Sequence, residues 1–455
     1  MLSEQKQAQG GGLQQTPAAW LKKIIEDNSP PPTLFAWTAA NLTSGSSCSP
    51  ATTRDNAKLS KTASDRIYVL GVGNLGRLIA TSLSQIPAKA PITLVVHRKS
   101  LLEHWDSTPG IEMARHGKVD RFTDFDVEWW TDEKPTNGPV HELTPIKNLI
   151  VATKAQDVIP QIDKLRRYLC SASTVAFVQN GMCKLWPPEG ELYLRLRFPD
   201  HTGPSWLACV TTHGVTSLAH FRSVHASVAG ISIGPVKANS HSGDAHRYLL
   251  SQIARAPHLE ARVVSTGELW VLQLEKLVVN SVLNPLTAIM DCENGELFVD
   301  REDMLSQVVD ALIREASIVL TSLALDPAGQ NILGSGADDG TSRGGLGREV
   351  LLQRFSFSSL RHVVYDVGYK VWSHISSMLQ DVRSGKQTEI QECNGWLLKT
   401  AESLDLGHEL PTHQKVISIV EDGGRLSRKQ LIQHCIPLSP LPCTGPSRRG
   451  HLLAA

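Results

Sequence analysis

An excess of charge of either sign is absent from this 455-residue chain: 45 Lys and Arg face 45 Asp and Glu. That balance gives no reason to expect nucleic acid or a polyanionic surface as partner. Long apolar runs are missing too, none approaching the roughly 18 residues a membrane helix needs, so a soluble protein without membrane contact is expected. The eight cysteines include no CxxC pair and no Cys/His group at metal-ligand spacing. This predicts a reducing compartment and no metal site. Nor does the chain open on a basic segment followed by an apolar core, the mark of secretion. Its first thirty residues hold acids and no arginine, whereas a mitochondrial presequence is Arg-rich and acid-poor. A cytoplasmic protein is expected, with a mitochondrial one as the alternative. Asn41-Leu42-Thr43 matches a glycosylation sequon; without secretion the match is fortuitous.

What is present is ordinary for a globular protein, with 41% hydrophobic residues, and the length suits two or three domains. Residues 1–64 are rich in Gly, Gln, Ser, Thr and Pro and carry the breakers "NSPPPT" and "TSGSSCSPATT", which predicts a flexible extension. Within it, the apolar segments Trp20–Ile25 and Leu34–Trp37 are the parts able to dock on a folded body. Residues 436–455, "IPLSPLPCTGPSRRGHLLAA", read as a disordered tail.

Ordered structure is expected to begin at "DRIYVLGVGNLGRLIATSLSQ". A β-rich run at Ile67–Leu70 and a helical pattern from Arg77 to Leu83 flank Gly71-Val72-Gly73-Asn74-Leu75-Gly76. A GxGxxG alone is weak, and the bland reading is a strand–turn–helix. Between a strand and a helix it has a mechanism: a tight turn, close approach to a pyrophosphate, and close helix–strand packing. The helix N-terminus adds free N–H groups and a positive dipole end. The next strand, "PITLVVHRKS", ends in His97-Arg98-Lys99 where an NAD site usually has an acid for the ribose hydroxyl. An arginine there suits the 2′-phosphate of NADP; a solvated basic turn is the alternative.

Further strands are predicted in "NLIVATK", "TVAFVQNG", "WLACVTTH" and "HASVAGISIG", alternating with helical segments. That is a doubly wound α/β sheet. Two strands end in polar tips, Thr153-Lys154 and Gln179-Asn180-Gly181, at the edge where such sheets bind ligands. Either tip could also be a plain turn.

From about Ser265 the pattern becomes helical, opened by a capping-box match, Ser265-x-x-Glu268. In "LEKLVVNSVLNPLTAIMDCENGEL", Lys276, Asn280 and Asn284 recur every four residues along one face of an otherwise apolar rod. A buried helix should exclude lysine, so this stripe faces either water or a site. A second helix is predicted over Arg301–Leu325, followed by a Gly/Asp-rich surface loop near 326–347. In "SSMLQDVRSGKQTEI", Ser377 and Asp381 lie one helical turn apart and Glu389 follows eight residues later.

Four stretches, "GVGNLG", "VQNG", "ELW…EKLVVNSVLNPLTAIMDCENGEL" and "SSMLQDVRSGKQTEI…NG", make residues 65–435 resemble the 2-dehydropantoate 2-reductases, or ketopantoate reductases. The resemblance implies a Rossmann-type NADP(H)-binding domain over 65–266 and an all-helical catalytic domain over 267–435, acting as monomer or homodimer. In the cleft between them ketopantoate is reduced to D-pantoate for pantothenate and coenzyme A synthesis. It also implies roles. Lys276 matches the catalytic lysine. Asn280, Asn284 and Asn294 match substrate positions, Ser377 a binder of the substrate carboxylate, and Asn180 an asparagine near both substrate and cofactor. Arg98 and Lys154 match basic cofactor positions, and Glu389 a carboxylate that helps hold the cofactor. The extension, the glycine-rich loop and the tail depart from the family pattern.

The chemistry agrees. A carbonyl receiving hydride develops negative charge on oxygen and needs a proton and preorganised donors. A lysine partly buried beside Leu277 and Val279 can supply both, because burial lowers its pKa. Two alternatives stand: a related reductase of another branched 2-oxo acid, and a non-catalytic regulatory homologue with the extension as its interaction surface. Intact Lys276, Asn280, Ser377 and Glu389 argue against the second.

Overall fold

The computed structural model describes residues 18–42, 65–239, 245–334, 347–406 and 409–436. Most of the expected flexible extension, the core of the glycine-rich stretch and nearly all of the tail lie outside these residues.

Thirteen strands are described: β1 (Phe35–Trp37), β2 (Ile67–Leu70), β3 (Ile92–Val96), β4 (Ile111–Arg115), β5 (Lys118–Phe122), β6 (Asp126–Thr131), β7 (Asn148–Val151), β8 (Thr174–Val178), β9 (Ser205–Thr211), β10 (Gly214–Ala219), β11 (Arg222–Ser227), β12 (Ile231–Lys237) and β13 (Ala261–Val263). Nine form one sheet in the order β1-β6-β3-β2-β7-β8-β9-β12-β13. Its six central strands are parallel. Strands of such a sheet are covered on both faces and read as unbroken apolar runs; every residue of β3 (ITLVV) and of β8 (TVAFV) is buried. The chain leaves β2 first to one side, through β3 and β6, then returns to the other, through β7, β8 and β9. The strand order therefore reverses beside β2, and the crevice opens at the carboxyl ends of β2 and β7.

β4, β5, β10 and β11 form a second, four-stranded sheet that the sequence pattern did not announce. The single strand expected in "HASVAGISIG" is in fact two, β11 and β12, parted at Val228–Gly230. The two halves serve different sheets.

Residues 18–42 depart from the expected flexible arm. β1 extends the large sheet antiparallel to β6, with Phe35 opposite Thr131 and Trp37 opposite Trp129. Trp37 Nε1 donates to the Glu133 carbonyl at 2.7 Å, and the Leu34 amide donates to the Tyr168 hydroxyl at 2.7 Å. The helix Ala19–Glu26 buries Leu21 and sets Trp20 edge-on to Tyr193. The two apolar segments singled out in the sequence are what docks. Asn41 is buried and donates to the carbonyls of Asn137 and Pro139, a position no glycan could share.

The helical domain is built round the 25-residue helix Thr266–Met290. Its N-cap is Ser265, whose hydroxyl accepts from the Glu268 amide at 3.3 Å. The Glu268 side chain turns instead to Arg354. Pro285 lies inside this helix and cannot donate to the Ser281 carbonyl one turn back. The side chain of Asn394 fills that gap, donating to Ser281 O at 2.8 Å. Met304–Leu325 forms the second long helix, and Pro327–Gly334, expected as loop, is helical. One face of the large sheet packs on the long helix, through β9 and β12, and Phe177, Trp206, Leu269, Leu274 and Val278 belong to the one core cluster that results. The cleft lies along that junction.

Candidate active site

A cavity of about 1810 Å³ runs between the carboxyl edge of the sheet and the helical domain. Every predicted site residue except Gly76 lines it: Gly71 to Leu75, Arg98, Lys154, Asn180, Lys276, Asn280, Asn284, Asn294, Ser377 and Glu389. Gly76 lies just beneath.

The three glycines divide the work as their positions suggest. Gly71 has φ +96°, and a Cβ there would sit 2.8 Å from the Ala152 carbonyl oxygen. A Cβ on Gly76 would come within 2.0 Å of Gly71 O. Gly73 is different: nothing stands within 4 Å of its missing Cβ, and it faces the cavity. It caps the helix Asn74–Leu83, so free N–H groups and a positive dipole end point at this open ground. Arg77, one turn into that helix, is buried and donates to Ala219 O and Arg222 O, each at 2.8 Å, locking the helix to the β10–β11 hairpin. Burial lowers its pKa to about 10, which leaves it cationic at neutral pH. A pyrophosphate fits this cradle.

Arg98 follows β3 at the cavity mouth, exposed, and among the described residues it has no ion-pair partner. Its Nη1 meets His97 Nε2 at 3.4 Å, and no carboxylate among the described residues competes for its planar fork, which suits a bidentate anion. Burial, then the Arg98 charge, push the neighbouring His97 below its ordinary pKa.

Deeper in, a chain of polar contacts joins the two domains. The Lys276 ammonium donates to Asn180 Oδ1 at 3.1 Å, and Asn180 Nδ2 donates to Glu389 Oε2 at 3.0 Å. This pattern fixes which way the Asn180 amide points. Glu389 also accepts from the Ala155 amide at 2.9 Å. Lys154 bonds to Asp381 and lies 3.7 Å from Glu389. Its buried position would lower its pKa, but Glu389 and Asp381 outweigh this and raise it. Three residues of the sheet domain thus grip two carboxylates of the helical domain. Lys276 itself is half-buried on the cavity wall, and desolvation pulls its pKa down to about 8, with the Glu389 charge partly opposing.

Several buried polar atoms here find no hydrogen-bond partner among the described residues: Thr153 Oγ1, Gln179 Oε1, Asn280 Nδ2, Asn294 Oδ1 and His374 Nδ1. All five side chains line the cavity. Buried polar groups are seldom left orphaned, so together they mark where a ligand's own polar groups go. The segment that carries His374 and Ser376 into the helix Ser377–Arg383 is held in place by the lysine helix and the turn beyond it. Thr287 Oγ1 donates to Ser376 Oγ at 2.7 Å, and the Asn294 amide to His374 O at 3.0 Å. Sequence reasoning did not find Arg77 or His374 and passed over Asp381 as a site residue. Only tertiary contacts single out Arg77 and Asp381, and only an orphaned ring nitrogen on the cavity singles out His374.

Two family profiles cover most of the described chain. One, described as ketopantoate reductase PanE/ApbA, matches residues 67–238; the other, its C-terminal part, matches 268–423. A ketoisovalerate reductase of Gibberella fujikuroi is 39% identical over 439 residues, spanning 90% of this chain and 97% of its own. One of Beauveria bassiana is 38% identical over 92% of this chain and 98% of its own. A probable 2-dehydropantoate 2-reductase of Schizosaccharomyces pombe is 28% identical over 74% of this chain and 91% of its own. Among solved structures, a ketopantoate reductase of the PanE/ApbA family from Ralstonia eutropha matches the fold with TM-score 0.54 at 16% identity, over 79% of this chain and 99% of its own. A ternary complex of D-mandelate dehydrogenase with NADH and anilino(oxo)acetate matches with TM-score 0.56 at 13% identity, over 79% and 98%.

Proposed function

The chain belongs to the ketopantoate reductase family, and on that premise we propose that it is an NADPH-dependent reductase of branched 2-oxo acids that takes 2-ketoisovalerate in preference to ketopantoate. The coarser part of this reading, a nicotinamide-dependent oxidoreductase of a 2-oxo acid and 2-hydroxy acid pair, follows from the family. The observation that carries the finer part is the near full-length identity of 38–39% to two ketoisovalerate reductases, against 28% to a dehydropantoate reductase over a shorter span.

The nicotinamide, when bound, supplies the hydride. Everything else falls to this chain's side chains. Gly71 to Gly76 and the helix behind them would hold the pyrophosphate, and Arg98 would pair with the 2′-phosphate. At a pKa near 8, Lys276 carries its proton at neutral pH and can release it to the oxygen as charge develops there. Asn180 aims the ammonium through the 3.1 Å contact, and Glu389 in turn holds Asn180. The free Nδ2 of Asn280, one turn along from Lys276, supplies a donor for the substrate. Ser377 faces the carboxylate.

A second reading, reduction of ketopantoate in pantothenate synthesis, is favoured by the unpartnered acceptor Asn294 Oδ1, to which that substrate's hydroxyl could donate. Initial rates of NADPH oxidation with each acid decide between them. The proposal expects a higher kcat/KM for 2-ketoisovalerate; a higher value for ketopantoate overturns it.

A further inference from the structure

The polar row of Lys276, Asn280 and Asn284 has an apolar companion. On the same helix Val279 and Leu283 face the cavity, one turn apart. The helix Phe357–Lys370 and the residue after it present Val363, Val367 and Val371 to the same cavity at four-residue steps. All three valines pack against the core cluster that holds Val279 and Leu283. The two helices run in the same direction. Arg354, just before one, pairs with Glu268 and Glu275 in the first half of the other, while the Val371 carbonyl accepts from Asn294 beyond the other's end. At about 1.5 Å per residue the valine row is about 12 Å long. An isopropyl group covers only a fraction of that.

We propose that this slot holds the hydrocarbon tail of the 2-oxo acid, that it admits tails longer than isopropyl, and that Val367, at the middle of the row, determines specificity. The inference rests on the reading of the chain as a 2-oxo acid reductase and adds its substrate range. The carboxylate and carbonyl take the polar row and Ser377. The tail then has only the slot as a place out of water, and none of its five side chains carries a hydrogen-bonding group. Each methylene moved from water onto such a surface tightens binding about fourfold. A slot longer than the tail keeps rewarding added carbons until it is filled. A hydroxyl on the tail gains nothing there and loses water.

The test uses the full chain and initial rates of NADPH oxidation with pyruvate, 2-ketobutyrate, 2-ketoisovalerate, 2-ketoisocaproate and 2-ketohexanoate. Expected is a kcat/KM that climbs about fourfold per added carbon and continues to climb past 2-ketoisovalerate. Val367→Phe should lower the ratio of kcat/KM for 2-ketoisocaproate to that for pyruvate at least about tenfold. Val367→Thr, nearly isosteric and so expected to fold, should lower the same ratio severalfold. A wild-type profile that is flat or falls after 2-ketoisovalerate overturns the proposal, as do variants that slow all acids by one common factor. Should no 2-oxo acid be reduced at all, the parent reading falls with it, so the two failures are distinguishable.

Discussion

Lys276 illustrates how one position can be both anomalous in sequence and necessary in structure. Its burial costs solvation, and the same burial lowers its pKa to about 8. If it is the proton donor, Lys276→Ala should reduce kcat by about 10²–10⁴-fold, the usual worth of such a group. NADPH affinity should hardly change, and a near-normal kcat would refute the role. The sign of the pH effect follows from the protonated form being the active one. Reductive kcat/KM should be level below about pH 8 and fall about tenfold per unit above it, a limb that Lys276→Ala lacks. Arg98 tests the coenzyme. A charge-assisted pair with the 2′-phosphate contributes about 1.5–3 kcal/mol. Arg98→Ala should therefore raise KM for NADPH about ten- to a hundredfold while leaving NADH use nearly unchanged. Equal use of NADH and NADPH by the wild type would sink the NADP reading. These residues were legible because each breaks a local rule. Lysine sits in an apolar helix, and basic residues stand where an acid is usual.

Elements carry the next set of expectations. The helix Thr266–Met290 survives Pro285 because Asn394 satisfies the carbonyl of Ser281. Asn394→Leu leaves that buried acceptor orphaned and should cost about 1–3 kcal/mol, read as a lower Tm or an earlier denaturant midpoint. The amino-terminal elements are a second case. Leu21, Leu34 and Trp37 are each at most 7% exposed, and burying such a side chain contributes roughly 1.5–3 kcal/mol. Deleting residues 1–42 should thus lower Tm markedly and promote aggregation through the uncovered edge strand β6. Unchanged stability would show that the docked segments contribute nothing. Composition alone pointed to a flexible arm here. Gly, Pro and Ser dominated the average, and two short apolar segments were enough to anchor the rest.

On the scale of the whole molecule, the two sheets and the cleft meet at a pair of histidines. Arg115 Nε donates to His225 Nδ1 at 3.3 Å, and His225 and His213 are joined Nε2 to Nδ1 at 3.0 Å. His213 Nε2 reaches the Leu259 carbonyl at 3.1 Å. With each Nδ1 already accepting, the chain has no place for another proton. Burial, then the charges of His213, Arg115 and His258, lower the His225 pKa to about 4, and burial also lowers that of His213 despite Glu260 nearby. Folded values below the unfolded ones mean that the unfolded chain binds more protons as pH falls from about 6.5 to 4, so stability is present above this window and is lost within it. The Tm should drop across that range, and His225→Gln should flatten the drop. An identical slope in the variant would exclude His225 as its source.

The sequence by itself determined the αβ order of the first domain, the cradle of Gly71, Gly73 and Gly76, the long capped helix and the face on which Lys276, Asn280 and Asn284 line up. All of these are local: periodicity, turn chemistry and capping act within a few residues. Tertiary structure alone decided the second sheet, the docking of residues 18–42, the grip of Lys154 and Asn180 on Asp381 and Glu389, and the apolar slot beside the polar row. Each of those joins residues far apart in the chain, such as Lys154 and Asp381, 227 positions apart. No pattern along one segment encodes a partner that only the packing of two domains brings within reach.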